Sequence, residues 1–259
     1  GITDDTNAIK AAINAVKGDI AFPLTTKPVV LYFPAGTFLI RSDEIDISDI
    51  QSLHLIGAGK CISQEKYFGT RLVASTNGTA LIKIGYTSSD ILIDGFTIDQ
   101  NTKSLYAINI VPTPGDIVNY SAIRNCEFIN VKAQGASIAS ITALGAYAET
   151  SIWEISNCGF SMNSIVDGAQ KGAALKIYNA GAWGWELNHC HFDGQSEVAH
   201  IILRCGEITL NHCIFDNTSA VSTSDIQVYS TAKLSLNNCH SGSSKPFISE
   251  LAAVGGDAT

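Results

Sequence analysis

Two tetrapeptides carry the most suggestive chemistry in this chain. Cys190-His191-Phe192-Asp193 and Cys213-Ile214-Phe215-Asp216 end segments of one pattern, so Asp193 and Asp216 take equivalent places in successive repeats. Extended segments stacked in a sheet lie about 4.8 Å apart, which makes the two carboxylates neighbours. Glycoside hydrolysis uses such a pair, about 5 to 5.5 Å apart for retention or about 6.5 to 9.5 Å for inversion. Crowding two like charges also pushes one pKa upward, as a proton donor requires. Glu154 and Glu186, each following a tryptophan, form a second pair of the same kind. The competing reading of all four is a solvated surface carboxylate.

A different cluster is offered by Lys176, His200, Arg204 and Asp225, which alternation turns outward, with Tyr178 and Tyr229 in the column of Arg204. A polysaccharide lyase needs a base and a cation that neutralises a carboxylate, and this face has candidates for both. Trp183, flanked by small residues in Gly181-Ala182-Trp183-Gly184, is a loop platform on which a sugar ring could stack. The segments Asn188-His189-Cys190-His191 and Asn211-His212-Cys213 invite a zinc reading. Alternation argues against it, because His191 points out where Cys190 points in. No metal site and no cofactor are expected.

These residues are positioned by a repeat. From residue 91 onward one pattern recurs: alternating apolar residues, a polar residue, a bend residue, an inward anchor, a spacer and an apolar residue. The copies are anchored at Phe96, Cys126, Cys158, Cys190, Cys213 and Cys239, with steps of 30, 32, 32, 23 and 26 residues. Period two on both sides of the bend means two strands per coil. A third is expected at Ala107–Ile110, Ile141–Leu144, Leu175–Tyr178, Ile201–Arg204, Ile226–Tyr229 and Phe247–Leu251. Three strands per coil make a triangular solenoid whose coils share one core. The anchor cysteines stack as small apolar side chains pointing the same way, without disulfide geometry. Trp153 and Trp185 fall on inward positions. His189 and His212 replace the bend asparagines Asn125, Asn157 and Asn238, a position that demands a left-handed backbone.

The start differs in kind. Ala8, Ile9, Ala12, Ile13 and Val16 have helical spacing, with Asp4 or Asp5 free to cap, so a short amphipathic helix covers the end of the solenoid. A strand at Val29–Phe33, a turn at Pro34-Ala35-Gly36-Thr37 and an early coil near Leu53–Gly59 follow. The expected organisation is one domain, 1–259, with residues 1–40 as cap and first strand, 41–251 as coils and 252–259 as a tail. Composition agrees with many short strands: 15% charged, 8% aromatic and 22 glycines in 259 residues. A net charge of -8 with no basic stripe speaks against nucleic acid. With no apolar run of 18 or more residues, insertion into a membrane is not expected.

The stretches Gly1-Ile2-Thr3-Asp4-Asp5-Thr6-Asn7-Ala8-Ile9 and Leu31-Tyr32-Phe33-Pro34-Ala35-Gly36-Thr37-Phe38 resemble the opening of the pectate-lyase-like superfamily of bacteriophage tailspikes and secreted enzymes. Leu55-Ile56-Gly57-Ala58-Gly59 and Gly69-Thr70-Arg71-Leu72 are similar to it too. The resemblance implies an all-β, right-handed three-stranded parallel β-helix with an N-terminal capping α-helix. It implies a polysaccharide partner, a homotrimer, and a place on a virion tail or outside the cell. The expected function is a tailspike-type domain that binds, and in the enzymatic reading depolymerises, a bacterial surface polysaccharide. A free secreted hydrolase or lyase and a non-catalytic attachment β-helix are the alternatives. The coils lack both the Asn-Thr-Asp with Asp-Asp pairing of polygalacturonases and the Arg-Asp-x-Arg of pectate lyases; the sole Asp-Asp is Asp4-Asp5.

Overall fold

The computed structural model describes residues 4–19, 28–41, 43–61, 69–141, 148–161, 172–194, 196, 198–217 and 222–252. Gly1-Ile2-Thr3 and residues 253–259 of the expected tail lie outside them. Three parallel sheets of eight strands each form a right-handed parallel β-helix. The first sheet runs from Val29–Phe33 to Ala232–Asn237, the second from Gly36–Ile40 to His240–Ser241, and the third from Ile45–Asp46 to Ile248–Leu251. Each coil contributes one strand to each sheet, in that order.

Parallel pairing in strict register puts like upon like. Phe128 pairs with Phe160, Phe160 with Phe192 and Phe192 with Phe215. Their rings stack at 5.0, 4.9 and 4.5 Å with planes within 8°. Trp153 stacks on Trp185 at 5.5 Å, both buried as their inward positions require, and each indole N–H donates to a carbonyl, of Val118 and Thr150 respectively. Buried indoles seldom go without such a partner.

The cysteine column forms as expected. Each anchor thiol donates to the carbonyl of an inward residue one coil back: Cys126 to Ile93, Cys158 to Ile123, Cys190 to Ile155, Cys213 to Leu187 and Cys239 to Leu210. No disulfide joins the cysteines among the described residues. Burial raises the Cys158 thiol well above its ordinary pKa, so the nucleophilic thiolate is suppressed. The bend before each anchor has positive φ throughout: Gly95 76°, Asn125 51°, Asn157 54°, His189 55°, His212 55° and Asn238 53°. The two histidines stack at 5.0 Å and act as bend residues, as expected.

The helix is Thr6–Asp19 and buries Ile9, Ile13 and Val16, a narrower stripe than expected, since Ala8 and Ala12 face outward. Asp4 and Asp5 precede it. The Asp4 carboxylate accepts from Thr6 N, that of Asp5 from Leu39 N, and the Thr6 hydroxyl from Arg41 N. The Asp-Asp-Thr motif thus fastens the cap to the strand Gly36–Ile40. Thr70 does similar work from a buried position, donating its hydroxyl to Phe33 O at 2.9 Å and accepting from Ala58 N at 2.8 Å. At Gly57 a Cβ would meet Gly95 O at 2.3 Å, so this motif glycine marks close coil-to-coil approach.

One third-strand expectation is corrected. The strand placed at Ile141–Leu144 lies at Ala136–Ile141, and residues 142–144 fall outside the described residues. Its inward side chains include Ile138 and Ser140, with Ala139 between them, a weaker apolar signal than the segment that follows.

Removing one ring from the phenylalanine stack leaves a cavity with neighbours above and below. Phe160→Ala is expected to cost about 3 to 5 kcal/mol, read as a lowered urea midpoint. Cys126, Cys158, Cys190 and Cys213 should react with a thiol reagent only on unfolding, whereas the half-exposed Cys61, Cys205 and Cys239 should label in the native protein.

Candidate functional site

The outer face of the second sheet carries two columns of chemically useful residues. One runs Thr97, Glu127, Gly159, His191, Ile214; the other runs Asp99, Ile129, Ser161, Asp193, Asp216. Gly159 decides the local geometry. A Cβ there would lie 2.2 Å from Glu127 Oε2, so the glutamate carboxylate lies across the glycine and reaches toward the coil of His191. A recess of about 230 Å³ results, lined by residues that include Lys60, Glu127, His189, His191 and Asp193.

Burial raises the Glu127 pKa above its ordinary value and Asp193 adds to the rise, outweighing the opposing charges of Lys60, at 3.6 Å, and His191. A carboxyl whose pKa is raised by burial, beside a second carboxylate, has the makings of an acid and base pair. Glu127 was not among the sequence candidates. Its signal was a glycine between Glu127 and His191 in the Cys-x-Phe series, where the missing side chain makes room for the carboxylate.

Asp193 and Asp216 are register partners, as their segments require. Asp216 turns to His191, whose Nε2 lies 3.0 Å from its Oδ2. Asp193 is thereby left facing the recess with Glu127.

Glu154 and Glu186 are likewise adjacent, on the first sheet. They line a groove of about 440 Å³ with His54, Asp90, Tyr120, Arg124 and Ile152. Burial alone would raise the Glu154 pKa, but hydrogen bonds from Arg124 and Ser156 and the Arg124 charge hold it below its ordinary value. Arg124 Nη2 lies 2.6 Å from Glu154 Oε2. The upward shift expected of one member of this pair therefore does not fall on Glu154, because Arg124 compensates it. Exposed Tyr120 and Ile152 edge the groove, and Ile152 holds φ 56°. Trp183 is exposed next to Gly184, with Lys233 Nζ 5.6 Å from its ring centre.

On the third sheet the expected outward cluster divides. Tyr178 and Arg204 are half-exposed, and the Arg204 guanidinium stands 4.3 Å from the Tyr178 ring centre and 5.4 Å from that of Tyr229, confirming the shared column. Tyr229 is largely buried. Lys176 is half-exposed and donates to Gln134 O at 2.7 Å.

His200 and Asp225 are corrections: both are buried, not outward. They sit where the chain turns from the second sheet into the third, and period-two alternation fails at a corner. His200 turns inward to 6.0 Å from the Phe192 ring and 6.3 Å from that of Phe215, and among the described residues neither of its nitrogens has a hydrogen-bond partner. Asp225 accepts from the Ser241 and Ser243 hydroxyls, and burial raises its pKa despite them. Among the described residues no cluster of three or more His, Cys, Asp or Glu could hold a metal ion, and no helix is long and apolar enough to cross a membrane.

A family model described as rhamnogalacturonase A/epimerase, pectate lyase-like, matches residues 1–244. The chain belongs to this family. A search of curated proteins returns no significant match. Among solved structures, ORF18 of Geobacillus virus E2 is similar with a TM-score of 0.57 and 15% identity, over 97% of this chain and 57% of that protein. The chain therefore spans little more than half of the phage protein. The A-module of the mannuronan C-5 epimerase AlgE6 of Azotobacter vinelandii aligns with a TM-score of 0.51 and 12% identity, over 96% of this chain and 76% of the module. At these identities the likeness is one of fold.

Burial, helped by His191, lowers the His200 pKa to about 3. The unfolded chain, with an ordinary value of about 6.5, then binds the proton more readily than the folded one. Stability contributed by neutral His200 is complete above about pH 6.5 and is lost as pH falls toward 3, by up to about 1.4 kcal/mol per unit. His200→Phe is expected to flatten this part of the stability profile in urea titrations between pH 3 and 7.

Proposed function

We propose that this pectate-lyase-like β-helix is a polysaccharide hydrolase of the tailspike type, acting on a bacterial surface glycan laid along the second sheet. The observation that carries the reading is the recess joining the Glu127 carboxyl, its pKa raised by burial, to Asp193. In this reading Glu127 gives its proton to the glycosidic oxygen as the bond to the anomeric carbon breaks. Asp193 takes a proton from the water whose oxygen bonds that carbon. Asp216 holds His191, and Lys60 limits how far the Glu127 pKa rises.

Register supports inversion. Glu127 and Asp193 stand two coil steps and two strand residues apart, roughly 12 Å between backbones. The reach of Glu127 across Gly159 shortens this toward the window of about 6.5 to 9.5 Å that admits a water. The homotrimer and the place on a virion tail or outside the cell belong to the same proposal, and rest on the tailspike-like opening motif.

The test is a panel of bacterial capsular polysaccharides, with reducing ends measured against time and the anomer of the first product read by NMR. Glu127→Gln and Asp193→Asn should each lower the rate at least about 100-fold with the fold intact by circular dichroism. The first product should have inverted configuration, and light scattering should give a trimer. Unsaturated products, or full activity in Glu127→Gln, would overturn the mechanism.

A further inference from the structure

We infer that the groove on the outer face of the first sheet is a second glycan site, and that it takes a sugar carrying a free amine, with the ammonium held by Glu186. The inference rests on the reading that the chain binds a glycan, and names a chemical class for it. Among the described residues the groove and the recess share no lining residue. The floor is one outward column from five successive coils, His54, Leu92, Ala122, Glu154 and Glu186, a run of roughly 19 Å. The short Ala122 side chain lowers the middle of that floor. One wall is built from the turn residue ahead of each strand: Asp90, Tyr120 and Ile152 hold φ of 53°, 51° and 56°. A left-handed backbone is unfavourable for a β-branched residue such as Ile152, and it persists here in a wall that keeps Tyr120 and Ile152 exposed.

Charge selects the ligand. Asp90 faces His54, with 3.7 Å between Oδ1 and Nε2, and Glu154 meets Arg124. Glu186 is exposed at the end of the floor, with no cation beside it among the described residues. Asp90, Glu154 and Glu186 outweigh Arg124 even with His54 protonated, so the groove repels an acidic sugar and leaves one carboxylate for a cation. An ammonium at Glu186 makes a charge-assisted hydrogen bond, stronger than a hydroxyl or an acetamide would make there. The exposed Tyr120 ring suits the C–H face of a pyranose. The backbone disfavours a basic peptide as the occupant. All five floor strands lie inside the eight-stranded sheet, whose edges are Val29–Phe33 and Ala232–Asn237. Their backbone groups are taken by neighbouring coils, so an extended peptide finds no strand edge to pair with. Recognition is left to side chains, as a sugar requires.

The test is calorimetric titration of the full chain with short oligomers of glucosamine, beside their N-acetylated counterparts and the polyamine spermine. The glucosamine oligomers should bind about tenfold more tightly than the N-acetylated ones and than spermine. Glu186→Gln should abolish the preference for the amine. Tyr120→Ala should weaken glucosamine binding about fivefold and keep the preference, with thermal midpoints confirming folded protein in both variants. Equal binding of amine and N-acetyl forms, no binding of any glucosamine oligomer, or an unchanged preference in Glu186→Gln would overturn the site. Spermine binding as tightly as the oligomers would show a general cation site and overturn the sugar assignment. Glucosamine binding without release of reducing ends from any capsule would leave this inference standing and sink the hydrolase. Cleavage of a capsule with no binding of the glucosamine oligomers would do the reverse.

Discussion

Stacking of each inward side chain on its equivalent one coil away is the interaction on which the rest of the molecule depends. Phe128, Phe160, Phe192 and Phe215 form an unbroken ring stack, flanked by the anchor thiols and the Trp153 and Trp185 pair. A slip of one residue in any coil would turn its apolar set outward. Register is therefore fixed from inside, and outward columns follow from it without needing contacts of their own. Asp193 stands beside Asp216, and Arg204 between Tyr178 and Tyr229, because the residues beneath them have already been aligned.

The solenoid's repetition made much of this readable from sequence. The anchor spacing, the alternation on either side of it and the left-handed bend are local, and each of six copies restates them, so His189 and His212 could be recognised as bend residues and Trp153 and Trp185 as core. What alternation could not supply was the corners. His200 and Asp225 occupy the turn from the second sheet to the third, where the chain changes direction and a side chain one position from an inward residue can itself turn in. The strand Ala136–Ile141 escaped because alanine and serine line much of it. The candidate acid escaped for another reason. Register places adjacent coils side by side, but the Glu127 carboxylate lies over a gap that the absence of a side chain at Gly159 opens.

The motifs that announce the family do a different job from the residues that could do chemistry. Asp4, Asp5 and Thr6 tie the helix to a strand, Thr70 joins two coils through backbone groups, and Gly57 allows close passage of the next coil. All are answers to how a solenoid begins. None touches the recess, which explains how one opening sequence serves proteins of unlike activity.

The Cys-x-Phe segment shows what that division permits. Its outer residues face inward and hold the register, while the middle residue faces out and is Glu127, Gly159, His191 and Ile214 in four successive coils. Acid, void, base and hydrocarbon have been set side by side with no adjustment of the interior. A solenoid of this kind works like a line of movable type: one letter per coil can be exchanged while its neighbours and the frame stay in place. New specificities on such a surface are reachable by single substitutions that leave the interior packing alone, a short evolutionary step for a protein facing a target that changes.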